Sequence, residues 1–220
     1  RQVIEAVRRG MERGKEDFQV HYGIIVCAMR NHSEEQNLAM LKCAREYLGE
    51  GVCALDLAGD ESAFPTAQYR NIFREAKRLG MPYTIHSGET GSLENVREAW
   101  ELGASRIGHG MALKKAPELM KAYARAGIGV EMCPTSNFQT KAAQSWQDYP
   151  LCQFLEEGIK VSVNTDNRTV SGTTMTRELT KVYEQYGRDG ELIFTLLRNA
   201  AETAFNPEIR EIFEKKWKGI

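Results

Sequence analysis

Thr84-Ile85-His86-Ser87-Gly88-Glu89-Thr90 is the stretch on which the reading of this chain turns. The apolar run Met81 to Ile85 follows Leu79-Gly80, the close of a helical pattern, so it predicts a strand after a helix, with His86 as the last residue of that strand. Gly88 has no Cβ and lets the backbone turn sharply, which brings Glu89 back over the strand end. An imidazole and a carboxylate held near one point at the mouth of a parallel sheet suit a metal ion beside a proton donor. Taken alone, a strand-end His with a Glu three residues on is more often a hydrogen-bonded loop pair, so its weight depends on the other strand ends.

The same alternation repeats on both sides. Upstream, residues 2 to 14 place Val3, Ile4, Val7 and Met11 on one helical face, with Gly10 and Gly14 near the end. The run from Gln19 to Met29 is too continuously apolar for a half-exposed strand and predicts one covered on both faces. Ser33 and Gln36 form a capping-box pair that opens a helix to about Leu48. Val52 to Leu57 predicts the next strand, ending in Ala58-Gly59-Asp60-Glu61, and a helix from about Thr66 to Leu79 leads back to the opening stretch. Downstream come a helix from Ser92 to Leu102, a very short strand at Arg106 to Gly110 and a helix from Pro117 to Ala126. A strand from Ile128 to Cys133 is stopped by Pro134 and a loop to Phe138; a helix around Leu151 to Glu157 and the last strand, Lys160 to Asp166, follow. From Thr174 the tail is helical, with Asn206 as a cap before Pro207, the favoured first helical position.

These are βα units in one domain, residues 1–220, with no linker or low-complexity tract between them. Parallel crossovers of this kind build either an open doubly wound sheet or a (β/α)₈ barrel, and both bind ligands beyond the C-terminal ends of the strands. No Gly-rich phosphate loop occurs. With 42% hydrophobic and 27% charged residues the chain holds one sizeable core, and a net charge of -1 gives no reason to expect nucleic acid or an anionic membrane as partner. Five cysteines, odd in number and without a CxxC pair, support neither a zinc ribbon nor a disulfide framework, which predicts a reducing, cytoplasmic setting. No apolar run approaches the roughly 18 residues that span a bilayer. The chain opens at Arg1 inside an amphipathic helix and without a Met, which raises the expectation of a longer protein.

Four strand ends carry polar groups. Asp56-Leu57-Ala58-Gly59-Asp60-Glu61 reads by itself as a Gly-Asp turn beside a capping acid. His86 and Glu89 form the second. In Arg106-Ile107-Gly108-His109-Gly110 a histidine bracketed by glycines has little packing around it and can approach a ligand closely. In the last strand, alternation places Ser162, Asn164 and Asp166 on one face, and burying them costs free energy unless partners await. Two histidines, a Glu and an Asp at the ends of parallel strands fit a divalent-metal hydrolase site. One His and one Asp would coordinate, Glu89 would exchange protons, and the second His would orient or deprotonate a metal-bound water. Two protein ligands are too few for catalytic zinc, and the chain has no His-x-His; His21 and His32 lie elsewhere.

The ordered set Asp56-Leu-Ala-Gly59-Asp-Glu, His86-Ser-Gly-Glu89, Arg106-Ile-Gly-His109-Gly and Asn164-Thr-Asp166 resembles the adenosine deaminase family of the amidohydrolase superfamily, along essentially the whole chain. The resemblance implies a (β/α)₈ barrel with one zinc ion, here incomplete and corresponding to about strands 3 to 8, the C-terminal two-thirds. It implies His86 and Asp166 as zinc ligands, Glu89 as the acid that protonates purine N1, and His109 acting on the metal-bound hydroxide. It also implies the Gly59 N–H as a donor to purine N3. The reaction implied converts adenosine, and 2'-deoxyadenosine, to inosine and ammonia, with a small-molecule purine nucleoside as partner. The other zinc deaminase pattern, with Pro-Cys-x-x-Cys, is excluded because Cys133-Pro134-Thr135-Ser136 has the wrong order. Two departures stand out. The family's first two strands, with the His-x-His pair, are absent. Asn167 stands where the family commonly has a second acid, so contact with purine N7 would be an uncharged amide hydrogen bond. Six strands cannot close an eight-strand barrel, so the strands of Val26 and Val163 would present open edges, to be covered by an upstream segment of about 100 residues or by a second chain. The alternatives are a related amidohydrolase acting on adenine or a modified nucleoside, and an inactive partial barrel that dimerises.

Overall fold

Among the described residues, six parallel strands lie side by side in the order in which the chain makes them. In this computed structural model, which describes residues 1–217, β1 (Ile24–Met29) pairs with β2 (Val52–Ala58). A second run joins β3 (Thr84–Ser87), β4 (Arg106–His109), β5 (Gly129–Met132) and β6 (Lys160–Val163). The two runs are linked by a parallel bridge between Leu55 and Tyr83, with the Leu55 N–H donating to the Pro82 carbonyl at 2.9 Å. A doubly wound sheet reverses its strand order at a switch point. Here the order never reverses, so the strands form part of a (β/α)₈ barrel. The single-domain expectation holds no information for residues 218–220, which lie outside the described residues.

Helices α1 (Gln2–Phe18), α2 (Glu34–Arg45), α3 (Arg70–Arg78), α4 (Leu93–Leu102) and α5 (Pro117–Ala126) fall between or before the strands. After β5 come α6 (Pro134–Gln139) and α7 (Leu151–Glu156), and after β6 come α8 (Arg168–Ser171), α9 (Met175–Gln185), α10 (Gly190–Glu202) and α11 (Pro207–Trp217). Among the described residues no helix is long and apolar enough to cross a membrane. The capping box at Ser33 and Gln36 forms as the sequence predicts, and the Asn206 side chain accepts from the Glu208 N–H at 3.0 Å.

Several expectations are corrected. Helix α1 continues through Gly10 and Gly14 to Phe18, because both glycines face open space and break no packing. Strand β1 is not covered on both faces: only Ala28 is buried and Cys27 is exposed, since β2 is its one strand neighbour among the described residues. The apolar face of α1 is covered only in part: Ile4 is buried in the core, while Val3 is 76% exposed and Val7 and Met11 are 40% and 45% exposed. Pro134 does not open a loop; it sits in the first turn of α6, where its missing N–H has no helical partner to lose. Strand β6 ends at Val163, so Asn164 to Asp166 lie past it.

Register decides what faces inward. Ile85, Ile107, Val130 and Val161 are mutual partners across β3 to β6 and are all fully buried. One residue further on, His86, Gly108, Glu131 and Ser162 form the next row. Side chains alternate along a strand, so the first row supplies the apolar layer against the helices and the second is the polar lining of the barrel.

Candidate active site

His86 lies in that polar row, one residue before the end of β3 rather than at it. Its neighbour in register is Gly108, where any Cβ would come within 3.2 Å of the His86 ring, so the glycine makes room for the imidazole. His86 Nδ1 is 2.8 Å from Asp56 Oδ2, close but off the line of a well-formed hydrogen bond. Burial alone would push the imidazole down; the Asp56 carboxylate, with Glu131 and Asp166 behind it, outweighs burial and raises His86 to about 9. Asp56 is therefore not the capping acid that its local sequence suggests. It is buried within β2, two residues before the strand's end, and pairs with His86. Cys27 Sγ approaches the same carboxylate at 3.7 Å from β1.

His109 would be expected on the opposite face from Gly108 by simple alternation. Its φ of 63° lies in the left-handed region that favours glycine, a conformation costing a non-glycine residue about 1–2 kcal/mol. With that turn its ring lies edge-on to His86, centroids 5.2 Å apart, and Nε2 lies 3.6 Å from Glu89 Oε2. Nδ1 lies 3.0 Å from Asn137 Nδ2. Burial holds His109 below the usual histidine range, against the pull of Glu89 and with the help of the neighbouring His86 charge. Glu89 also accepts from the Thr140 hydroxyl at 2.9 Å.

Asp166 shares the left-handed backbone, with φ of 54°. Non-glycine residues in such conformations cluster at functional sites. Its Oδ2 accepts from Ser136 Oγ at 2.6 Å. Burial alone would raise this carboxyl, but the Ser136 hydroxyl, His109, the Asn167 N–H and His86 hold it below the usual carboxylate range. Asn167 caps α8, accepting from the Thr169 and Val170 N–H groups through Oδ1 at 3.2 and 3.0 Å, which leaves its amide nitrogen as the donor. Gly59, at φ of 115°, lies just past β2 above Arg30, whose Cβ would be 3.2 Å from a side chain there.

His86, Glu89, His109 and Asp166 are thus gathered at one rim, while Gly59 and Asn167 lie in the loops beyond β2 and β6. Three residues that sequence reasoning missed hold this rim together. Arg30, 1% exposed, donates to the Phe64 carbonyl (2.6 Å), Thr66 Oγ1 (3.1 Å) and the His86 carbonyl (2.7 Å), tying three strand ends together. Glu61 accepts from the Gly88 and Thr90 N–H groups on either side of Glu89, at 2.8 and 2.6 Å. Asn137, fully buried, bridges His109 to the loop after β5. The one signal for Arg30 is a cation directly after the apolar run of β1; Glu61 closes the Asp56–Glu61 stretch without any local sign of its role, and Asn137 reads as an ordinary loop residue.

Imidazole nitrogen and carboxylate oxygen at His86 and Asp166 are donors of the kind zinc takes. Among the described residues, however, no group of three or more His, Cys, Asp and Glu side chains could hold a metal ion. Catalytic zinc needs at least three protein ligands as a rule, so these residues are at most part of a zinc centre.

The chain is similar to known proteins along nearly its whole length. A curated adenosine deaminase from Enterococcus faecalis is 38% identical over 216 residues, covering 98% of this chain and 64% of the relative. One from Clostridium botulinum (strain Hall) is 40% identical over 216 residues, covering 97% of this chain and 64% of the relative. The chain therefore spans about 64% of the length of these relatives. Among solved structures, adenine deaminase from Arthrobacter aurescens superposes with a TM-score of 0.83 at 22% identity, over 94% of this chain and 64% of that one. An amidohydrolase from Burkholderia ambifaria with bound Zn gives 0.87 at 21% identity, over 95% of this chain and 59% of that one. At such identities the structural likeness carries the fold alone. The family model described as Adenosine deaminase matches residues 1–215, nearly the whole chain, and by that match the chain belongs to the adenosine deaminase family.

Proposed function

We propose that the complete protein removes the 6-amino group of adenosine, and of 2'-deoxyadenosine, by hydrolysis: water adds its oxygen to C6, the C6–N bond breaks, and inosine and ammonia leave. The observation that carries this reading is the pairing of Glu89 and His109, 3.6 Å apart, beside His86 at the barrel rim. Glu89 would give a proton to the purine ring nitrogen N1, which makes C6 more electrophilic. His109 lies beside it, where it can orient the attacking oxygen. The Gly59 N–H would donate to N3 and the Asn167 amide to N7, an uncharged contact that holds the ring without depending on a protonated acid.

His86 and Asp166 would hold a zinc ion together with donors from the part of the family's length that this chain does not span. Such an ion supplies a water ionised near neutral pH. We assign the protein to a reducing cytoplasm, which suits five cysteines that all stand free. A second reading, deamination of adenine or an N6-modified purine nucleotide, draws on structural neighbours named adenine deaminase and N6-mAMP deaminase.

The test is turnover of adenosine, deoxyadenosine and adenine by the full-length protein and by Glu89→Gln. The variant is expected to lose about 10²- to 10⁴-fold in kcat, the usual worth of a positioned acid, while its zinc content is unchanged. Near-normal turnover removes Glu89 from this role. A stable, metal-free, inactive dimer in sedimentation would instead identify a non-enzymatic partial barrel.

A further inference from the structure

The amide of Asn137 is fully buried, and so very nearly are its partners His109 and Tyr149, at 2% and 4% exposure. Asn137 Oδ1 accepts from the Cys133 N–H at 3.3 Å and from the Tyr149 hydroxyl at 3.1 Å. The Cys133 N–H can only donate, so turning the amide over would set two donors against each other. The side that faces His109 Nδ1 at 3.0 Å is therefore the NH₂ group. An amide NH₂ offers hydrogens and no usable lone pair, so the contact is a hydrogen bond only if Nδ1 is bare. A neutral imidazole with a bare Nδ1 carries its proton on Nε2.

We infer that Asn137 is a positioning residue that holds His109 as the neutral Nε2–H tautomer, so that the ring presents a hydrogen-bond donor, not a lone pair, to the space shared with Glu89 and His86. The two competing states both place a proton on Nδ1. Each then sets N–H against NH₂ in a buried place, an unmade hydrogen bond that disfavours it by roughly ten-fold or more. The inference rests on the proposed function for its catalytic meaning. Of the two roles open to the second histidine, orienting an oxygen or taking its proton, this tautomer performs the first: an N–H at Nε2 binds the lone pair of an attacking oxygen and settles the negative charge that grows there. Proton acceptance falls to another group.

The test is the long-range ¹H–¹⁵N spectrum of the full-length protein labelled at histidine, recorded with its bound metal and after chelation, with His109 assigned from the signals missing in His109→Gln. The expected result is a pyrrole-type Nε2 and a pyridine-type Nδ1 at neutral pH in both forms. A pyrrole-type Nδ1, in either the neutral or the doubly protonated ring, overturns the inference, and this wild-type measurement decides it whether or not any Asn137 variant folds. Asn137→Asp places an acceptor opposite Nδ1. It is expected to convert Nδ1 to the pyrrole type and to lower kcat about 10- to 100-fold with little change in KM, a loss of the size that follows when the partner orienting a functional imidazole is removed. A folded Asp variant with the wild-type tautomer and kcat also overturns it. Because tautomer and turnover are read separately, a protein with the expected tautomer and no deaminase activity upholds the inference and removes the proposed function. Full activity with a protonated Nδ1 does the reverse.

Discussion

Glu61→Gln isolates the contribution of one buried carboxylate to the geometry of Glu89. Glu61 is 4% exposed; its Oε2 accepts from the Gly88 N–H at 2.8 Å and Asn95 Nδ2 at 3.2 Å, and its Oε1 from the Thr90 N–H at 2.6 Å and Thr90 Oγ1 at 3.0 Å. Glutamine has the same shape but turns one of these acceptors into a donor. The Thr90 hydroxyl can rotate to accept from the new NH₂; a backbone N–H cannot. Whichever end carries the nitrogen, one main-chain N–H is left facing a donor. The loss is one charge-assisted hydrogen bond, about 1.5–3 kcal/mol, with weakening of its neighbours, so we expect about 2–4 kcal/mol of destabilisation. At a urea slope of about 3 kcal/mol/M, the midpoint falls by about 1 M, readable from the fluorescence of the three tryptophans. Since those two N–H groups bracket Glu89, a shift of about 1 Å in the loop lowers kcat by up to about 10²-fold. An unchanged midpoint together with unchanged turnover would refute the view that Glu61 holds this loop.

Three further outcomes are expected. Gly88→Ala adds left-handed strain, about 1–2 kcal/mol, to a Cβ only 2.6 Å from Val96 Cγ2, an overpacking of about 1–3 kcal/mol. Gly80→Ala, at φ of 64° with nothing within 4 Å, carries the strain alone, so thermal unfolding should separate the two by several degrees. In the metal-free protein the His86–Asp56 pair stabilises the fold fully below the ordinary histidine range near 6.5 and loses that contribution as pH rises through about 9. Allowing for the 31% exposure of the imidazole, the contribution is about 2 kcal/mol, and Asp56→Asn should flatten stability across that window. Finally, residues 1–220 alone should bind zinc weakly by calorimetric titration; stoichiometric, tight binding would show that His86 and Asp166 find their remaining ligands within this chain.

How far the site was legible follows from what each residue depends on. His86, Glu89, His109 and Asp166 stood out because each follows an apolar run and lies beside a glycine or a chain turn, a local pattern. Asp56 reads locally as a capping acid because its partner lies on the parallel neighbour β3, and nothing within its own strand indicates a buried imidazole partner. Asn137, Arg30 and Glu61 act across 25 residues or more of sequence, on Asn137–His109, Arg30–His86 and Glu61–Gly88 contacts, and none of these partners is indicated by the residues next to them in sequence.

The amino-acid order by itself determined the alternation of strand and helix and the gathering of polar groups at and just past the C-terminal ends of the strands, because period and turn propensity are local properties. It left open whether the sheet was wound in both directions or ran on in one, since either is compatible with the same periodicity. Only the tertiary structure decided that, through an unreversed strand order. It also decided whether the two histidines share a face. Alternation would separate them across β3 and β4; a single left-handed residue at His109, held by packing that strand propensity does not encode, brings them together.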